Sequence, residues 1–342
     1  MNARKVILDC DPGIDDALAL MLALSLPGLD VVGITVVCGN VPVEKGVKNA
    51  LKILELMNRT EIGVYAGEET PLIRPYVDAM DTHGRDGLGE SGLADSTVGQ
   101  AKGDAVRFLA GILLSQDDVS VIALGPLTNL ARLRQEYPDA FARIHNLVSM
   151  GGTYKAHGNC SPVAEYNYWC DPDAAAVVYE AYASLPELAG KRIHMIGLDV
   201  TRKIVLTPNL AAYMKRINPH LGSVMESITR FYMDFHWEQE GIIGCVINDP
   251  LAVAYFADPS LCDGFDAYTS VETEGLSFGQ TLVDDHEIWK KPHNSHILTK
   301  TDPYRFFLMF FCKVLGANPA QAESILPQIL SGEVTVWDIR KN

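Results

Sequence analysis

The sequence predicts an α/β protein: a single large domain with a mostly parallel central sheet and helices on both faces. Three observations carry this. Short β-branched runs alternate with stretches of helical period through the first 200 residues. Such alternation demands crossover connections, which make strands parallel and cover the sheet on both sides. The chain has 342 residues, 48% hydrophobic and 21% charged, which suits one soluble globular unit with a sizeable core. No repeat, low-complexity tract or linker divides it, so residues 1–342 read as one domain.

Taken in order, residues 5–9 read as strand and 15–26 as helix. Residues 30–38 (DVVGITVVC) are strand, and 42–57 are helix, with Val43, Val47, Ala50, Leu51 and Leu54 at helical spacing. Residues 104–115 are helix, 119–124 (VSVIAL) strand, 127–137 helix and 144–150 strand. Residues 171–182 are helix, with Pro172 at the start, and 192–200 are strand. The pattern then turns helical at 207–217, 219–239 and 248–257. Strand-like pieces follow at 266–273, 279–284 and 295–300, with a last helix near 303–316. The least regular stretch, 67–102, is rich in Gly, Thr and Asp and reads as a long functional loop.

Composition excludes several function classes. Lys and Arg number 28 against 43 Asp and Glu, a formal net charge of -15. So acidic a chain is unsuited to phosphate backbones or anionic membranes and suits a small neutral or cationic ligand, or a metal. The N-terminal apolar run is too short for a signal peptide, and residues 306–315 are too short to span a bilayer. Seven scattered cysteines without C-x-x-C point to reduced thiols in a cytoplasm.

In open parallel sheets, ligands sit outside the carboxyl ends of the strands. Those ends carry Asp9-Cys10-Asp11-Pro12-Gly13-Ile14-Asp15-Asp16, then Cys38-Gly39-Asn40, Leu124-Gly125-Pro126 and Met150-Gly151-Gly152. Converging carboxylates must protonate or hold a cation, and oxygen-only donors favour a hard ion such as Ca²⁺ or Mg²⁺. Helix capping accounts for one or two of the four aspartates but not all. Asp249 before Pro250 reads first as an ordinary helix cap, and His83 as a loop histidine. Asn159 and Glu165-Tyr166-Asn167 form a weak polyol-binding set. Trp169 and Trp237 read as core or rim residues.

Together these motifs resemble the nucleoside hydrolase family, the metal-dependent ribohydrolases of inosine, uridine and related nucleosides. The D-x-D-P-G-x-D-D element is Asp9–Asp16. In the family's order follow Gly39-Asn40, His83-Gly84, Leu127-Thr128-Asn129, Met150-Gly151-Gly152, Asn159 with Glu165-Tyr166-Asn167, and Asp249-Pro250. The resemblance spans about residues 4–316 and implies a Rossmann-like nucleoside hydrolase fold. It implies one Ca²⁺ per subunit, held by Asp11, Asp16, Asp249 and the backbone carbonyl near Leu124. Asp15 would take the proton from the ion-bound water. Asn40, Asn159, Glu165 and Asn167 would hold the ribose hydroxyls, with Met150 beside them and His83 near the ribose or base. It also implies a homodimer or homotetramer.

One position departs from the pattern. Many family members carry His before this aspartate, linked to protonation of the leaving base; here it is Asn248. Asparagine is no general acid at neutral pH. His236, Tyr232 or His83 would then donate, or stacking on Tyr166, Trp169 or Trp237 would activate the base, or the substrate would differ, as with a 7-deazapurine nucleoside. Base specificity stays open among purines, pyrimidines and such modified bases. The rivals are a Mg²⁺-dependent phosphatase of the haloacid dehalogenase type, suggested by D-x-D at the first strand end, and a non-catalytic calcium- or nucleoside-binding protein. Residues 67–102 and 219–245 are expected to close over the substrate.

Overall fold

The computed structural model describes residues 3–331. Eleven strands follow in chain order: β1 (Arg4–Cys10), β2 (Leu29–Val36), β3 (Val64–Ala66), β4 (Ser120–Ala123), β5 (Leu147–Met150), β6 (Ile193–Ile196), β7 (Val205–Leu206), β8 (Cys245–Val246), β9 (Cys262–Val271), β10 (Thr281–Asp284) and β11 (Ser295–Thr301). Nine form one sheet in the order β10-β9-β11-β6-β5-β4-β1-β2-β3, and β7 pairs with β8. From β3 to β11 every neighbour is parallel. Only β9 runs against its two partners in the sheet. The mostly parallel α/β domain expected from the sequence is therefore the observed one.

Burial explains the composition of the strands. Val6, Ile7 and Leu8 in β1 are all fully buried, because helices cover both faces. Val6 and Leu8 point into one core cluster and Ile7 into the other, as alternation across a strand requires. The helix Ile14–Ser25 is buried from Ile14 through Leu24. It packs against the helix Asp249–Ala257. Their N-terminal ends meet, and both carry acids there.

The structure departs from the sequence reading in several places. The strand expected at 192–200 stops at Ile196, because Gly197 starts a turn of helix at Leu198–Thr201. The stretch 67–102 is irregular, as expected, except for one helical turn, Met80–His83. A further helix, Pro319–Leu330, extends the chain beyond the last one expected. The expected domain, 1–342, also takes in residues 1–2 and 332–342, which lie outside the described residues. No helix among the described residues is long and apolar enough to cross a membrane. All seven cysteines are free.

Asp9 does not join the other acids of its motif. Its Oδ1 accepts from Thr35 Oγ1 at 2.6 Å and Asn129 Nδ2 at 2.8 Å. Burial lifts its carboxyl to about 6, against the pull of those two donors. Asn129 Oδ1 in turn accepts the Glu68 N–H at 2.9 Å, tying the loop after β3 to the centre of the sheet. Removing a buried partner strands the group it satisfied. Asn129→Ala is therefore expected to lower unfolding free energy by about 2–3 kcal/mol. Denaturant unfolding checks this, and an unchanged midpoint would contradict it.

Candidate active site

The polar residues singled out in the sequence line one cavity of about 740 Å³ at the carboxyl ends of the central strands. Asp15, Asn40, His83, Leu124, Met150, Asn159, Glu165, Tyr166, Asn167, Trp169, Tyr232, His236, Asn248 and Asp249 all contribute to its wall. Trp237 does not. It is 59% exposed, which removes it as a stacking partner for a base in this cavity.

At the floor, carboxylate oxygens of Asp15, Asp16 and Asp249 lie within 4.8 Å of one another, and all three residues are buried. Asp11 stands outside this tight triad. Its Oδ2 accepts the Asn40 N–H at 2.7 Å, while its Oδ1 is buried with no partner. A Cβ on Gly39 would overlap the Asp11 carboxylate, so this approach needs glycine. Asp16 closes the first turn of its helix: Oδ2 accepts the Gly13 N–H at 2.9 Å and Asn40 Nδ2 at 3.0 Å. The capping role weighed for these acids is thus real for Asp16, and it accompanies a second role. Asp16 and Asp249 are within hydrogen-bonding reach of each other. Burial, then Asp15 and Asp16, push Asp249 well above the ordinary carboxylate range. Burial, with Asp15, lifts Asp16 to about 6. Burial and Asp16 likewise raise Asp11.

Buried acids that face one another, with an orphan Asp11 Oδ1 beside them, fit a divalent cation. The set is oxygen-only, which suits a hard ion. The Leu124 carbonyl lies on the same wall, where it accepts Asn167 Nδ2 at 2.6 Å. The meeting helix N-termini favour the ionised acids as well.

Asp15 is held from one side. The Asn248 N–H and Nδ2 donate to its Oδ2 at 3.2 and 3.0 Å. Asn248 Nδ2 also lies 3.3 Å from Tyr232 Oη, and its Oδ1 is buried without a partner. His83 is buried, unlike the solvated loop histidine first expected. Its Nδ1 accepts the Ile14 N–H at 3.1 Å, which leaves the ring proton on Nε2. A Cβ on Gly13 would come within 2.6 Å of that Nδ1. Burial lowers the His83 pKa, partly offset by Asp15. His236 has the opposite tautomer: its Nδ1 lies 2.9 Å from the Tyr232 carbonyl and must donate to it. Burial lowers its pKa also. Tyr232 packs between the two rings, with centroids 5.2 Å from His83 and 4.4 Å from His236.

The opposite wall is built around Glu165, the N-cap of the helix Tyr166–Cys170. Its carboxylate accepts the N–H groups of Asn167 and Gly152, each at 2.8 Å. Burial still lifts it to about 7. Asn167 Nδ2 bridges the carbonyls of Leu124 and Met150, joining two strand ends. Asn159 Oδ1 accepts the Tyr166 N–H, and the Tyr166 hydroxyl donates to the Val77 carbonyl in the long loop. Trp169 lines the wall and packs on Phe278.

Several lining residues escaped the sequence reading: Asp78, Asp81, Arg202, Gln239 and Glu240. Each is a polar side chain in a loop or at a helix end, with no motif around it. Arg202 donates to the carbonyls of His157 and Gly158 at 2.6 and 3.2 Å and reaches Glu240 at 3.5 Å.

Comparison with known proteins agrees with this geometry. The family model for inosine-uridine preferring nucleoside hydrolase matches residues 6–308. The pyrimidine-specific ribonucleoside hydrolase RihA of Escherichia coli O81 (strain ED1a) is 33% identical over 307 residues, 89% of this chain and 96% of RihA. The purine-preferring ribonucleoside hydrolase from Gardnerella vaginalis superposes with a TM-score of 0.84 at 31% identity, covering 92% of this chain and 98% of that one. A plant nucleoside hydrolase, PpNRh1, gives 0.84 at 29% identity, covering 92% and 99%. With acid triad, cavity, fold and sequence in agreement, the chain belongs to the nucleoside hydrolase family and is a hydrolase of N-glycosidic bonds.

Proposed function

We propose that this protein releases the base from ribonucleosides with Asp15 as general base and one Ca²⁺ per subunit, in nucleoside salvage. One observation carries the reading. Asp15 faces a nucleoside-sized cavity while two Asn248 N–H donors hold its Oδ2 and the Asp16 and Asp249 carboxylates lie close by. Asp11, Asp16, Asp249 and the Leu124 carbonyl would hold the ion. When bound, Ca²⁺ supplies a Lewis acid that orients water and eases its deprotonation.

The remaining work falls to side chains. Asp15 accepts the proton of the attacking water. Asn248 positions that carboxylate. Asn40, Asn159, Glu165 and Asn167 take the ribose hydroxyls, and Met150 packs beside them. As the C–N bond breaks, the sugar gains oxocarbenium character, which buried carboxylates favour over the neutral ground state. Tyr232 and His236 face the departing base as hydrogen-bonding groups, His83 borders ribose and base, and Tyr166 and Trp169 flank the base. We assign the protein to the cytoplasm on its free thiols and expect a homodimer or homotetramer.

The defining experiment incubates the Ca²⁺-supplied protein with inosine, adenosine, guanosine, uridine, cytidine and a 7-deazaguanine nucleoside, then separates free base from nucleoside. Base release is expected. Asp15→Asn should cut kcat by about 10²–10⁴, the usual worth of a general base. With Tyr232 and His236 as hydrogen-bonding groups facing the base, Tyr232→Phe and His236→Gln should each cost about tenfold in kcat, the worth of one hydrogen bond. An Asp15→Asn variant as fast as wild type would remove the assigned base. Turnover of phosphate esters instead of nucleosides would revive the phosphatase reading.

The long loop supplies His83, Asp78 and Asp81 to the cavity, and the helix Pro219–Glu240 supplies Tyr232 and His236. These two segments are proposed to tighten over bound nucleoside, since a dry site strengthens every charge interaction within it. Nucleoside is expected to slow proteolysis within 67–102 or 219–245. Equal cleavage with and without ligand would contradict closure.

A further inference from the structure

The leaving base meets a wall with an unusual charge balance. Six carboxyl side chains line the cavity: Asp15, Asp78, Asp81, Glu165, Glu240 and Asp249. Among the described residues that line it, Arg202 is the only Lys or Arg. Its guanidinium is already engaged by two backbone carbonyls and by Glu240. Two further acids, Asp11 and Asp16, lie buried at the floor, and a divalent ion there would offset only part of the total.

Around Asn248 and Tyr232 the same wall has no strong proton donor for the base, and the third lining histidine, His157, is a solvent-exposed side chain. Asn248 has no ionisable proton. His83 spends Nδ1 on the Ile14 N–H, and His236 spends its Nδ1 proton on the Tyr232 carbonyl. The Nε2 of His236 therefore carries a lone pair in the neutral ring, and Tyr232 offers only a phenol. A neutral base that leaves unprotonated departs as an anion, into a cavity lined by acids. A base that is already cationic departs neutral and is attracted while bound.

We infer that this cavity is suited to ribonucleosides whose base carries a fixed positive charge, such as N7-alkylated purines or N-ribosides of pyridinium rings. The inference rests on the N-ribohydrolase reading and narrows its substrate class. The step balances. The C–N electron pair passes to the base nitrogen and neutralises it. Water oxygen bonds to C1′, and the water proton passes to Asp15 and then to solvent.

The test compares 7-methylguanosine with guanosine, at slightly acidic pH where the methylated base keeps its N1 proton and its positive charge. The protein is the full chain supplied with Ca²⁺. The expected kcat/KM favours 7-methylguanosine by about 100-fold or more, against the tenfold per 1.4 kcal/mol scale of rate differences. Cationic nucleosides are also more labile in water, so binding is read separately. Raising salt from about 0.02 M to about 0.5 M should raise KM for 7-methylguanosine several-fold and KM for guanosine much less, because salt screens charge attraction. Asp81→Asn should raise the KM of the cation more than that of guanosine. Guanosine turned over as well as its methylated form overturns the inference while leaving the hydrolase reading intact, as does a salt-independent KM for the cation. No base released from these two or from inosine and uridine overturns the hydrolase reading and the inference with it.

Discussion

Everything at this site follows from burying carboxyl groups together at the end of β1. Asp9, Asp11 and Asp16 are fully buried, and Asp15 and Asp249 nearly so. Ionised carboxylates removed from water cost several kcal/mol each unless donors or cations meet them. The fold answers with backbone N–H groups from Asp11, Gly13, Asn40 and Asn248, side-chain amides from Asn40, Asn129 and Asn248, and two helix N-termini. These donors leave Asp11 Oδ1 without a partner and do not separate the Asp15, Asp16 and Asp249 carboxyls, whose oxygens face one another within 4.8 Å. That residual deficit is what a divalent cation would remove. The amide-rich wall is therefore as much a part of the site as the acids.

Asn248 illustrates how one residue connects this electrostatics to chemistry. Through two donors on one oxygen it fixes the Asp15 carboxylate, and the same amide lies beside Tyr232. An imidazole at this position would bring a group able to carry a proton to the base. An amide brings orientation without acidity. The cavity beyond it has acids and one committed guanidinium, so substrate charge becomes the variable on which discrimination turns.

Much of this was legible in the residues, for identifiable reasons. The central strands announce themselves as short β-branched runs because both their faces are covered, and β1, β2, β4 and β5 fall where the pattern puts them, with β6 ending earlier. The acids of Asp9–Asp16 stood out because four like charges in eight positions have no simple structural use. Asp249 was different: it lies more than 230 residues away, and only the family resemblance joined it to Asp15 and Asp16 before the structure did. Asp9, counted with its motif but given no role of its own in the sequence, is turned by strand alternation towards Thr35 and Asn129. Trp237, read as a core or rim residue with stacking as one option, lies exposed on its helix. Tyr232 and His236 share a helix face at i and i+4, and the next residue is turned about 100° away. β3 and β7 are too short to show a period. Arg202, Glu240, Asp78 and Asp81 look like ordinary solvated charges in sequence, and only packing brings them to one mouth.

The most direct test of the charge deficit is calorimetric titration of chelator-treated protein with Ca²⁺, alongside Asp249→Asn. One site per chain is expected in the wild type, with affinity at least about tenfold weaker in the variant, since each carboxylate ligand tunes calcium affinity strongly. Titration heats no greater than dilution for the wild-type protein would contradict the assignment and require the buried acids to be held by protons instead.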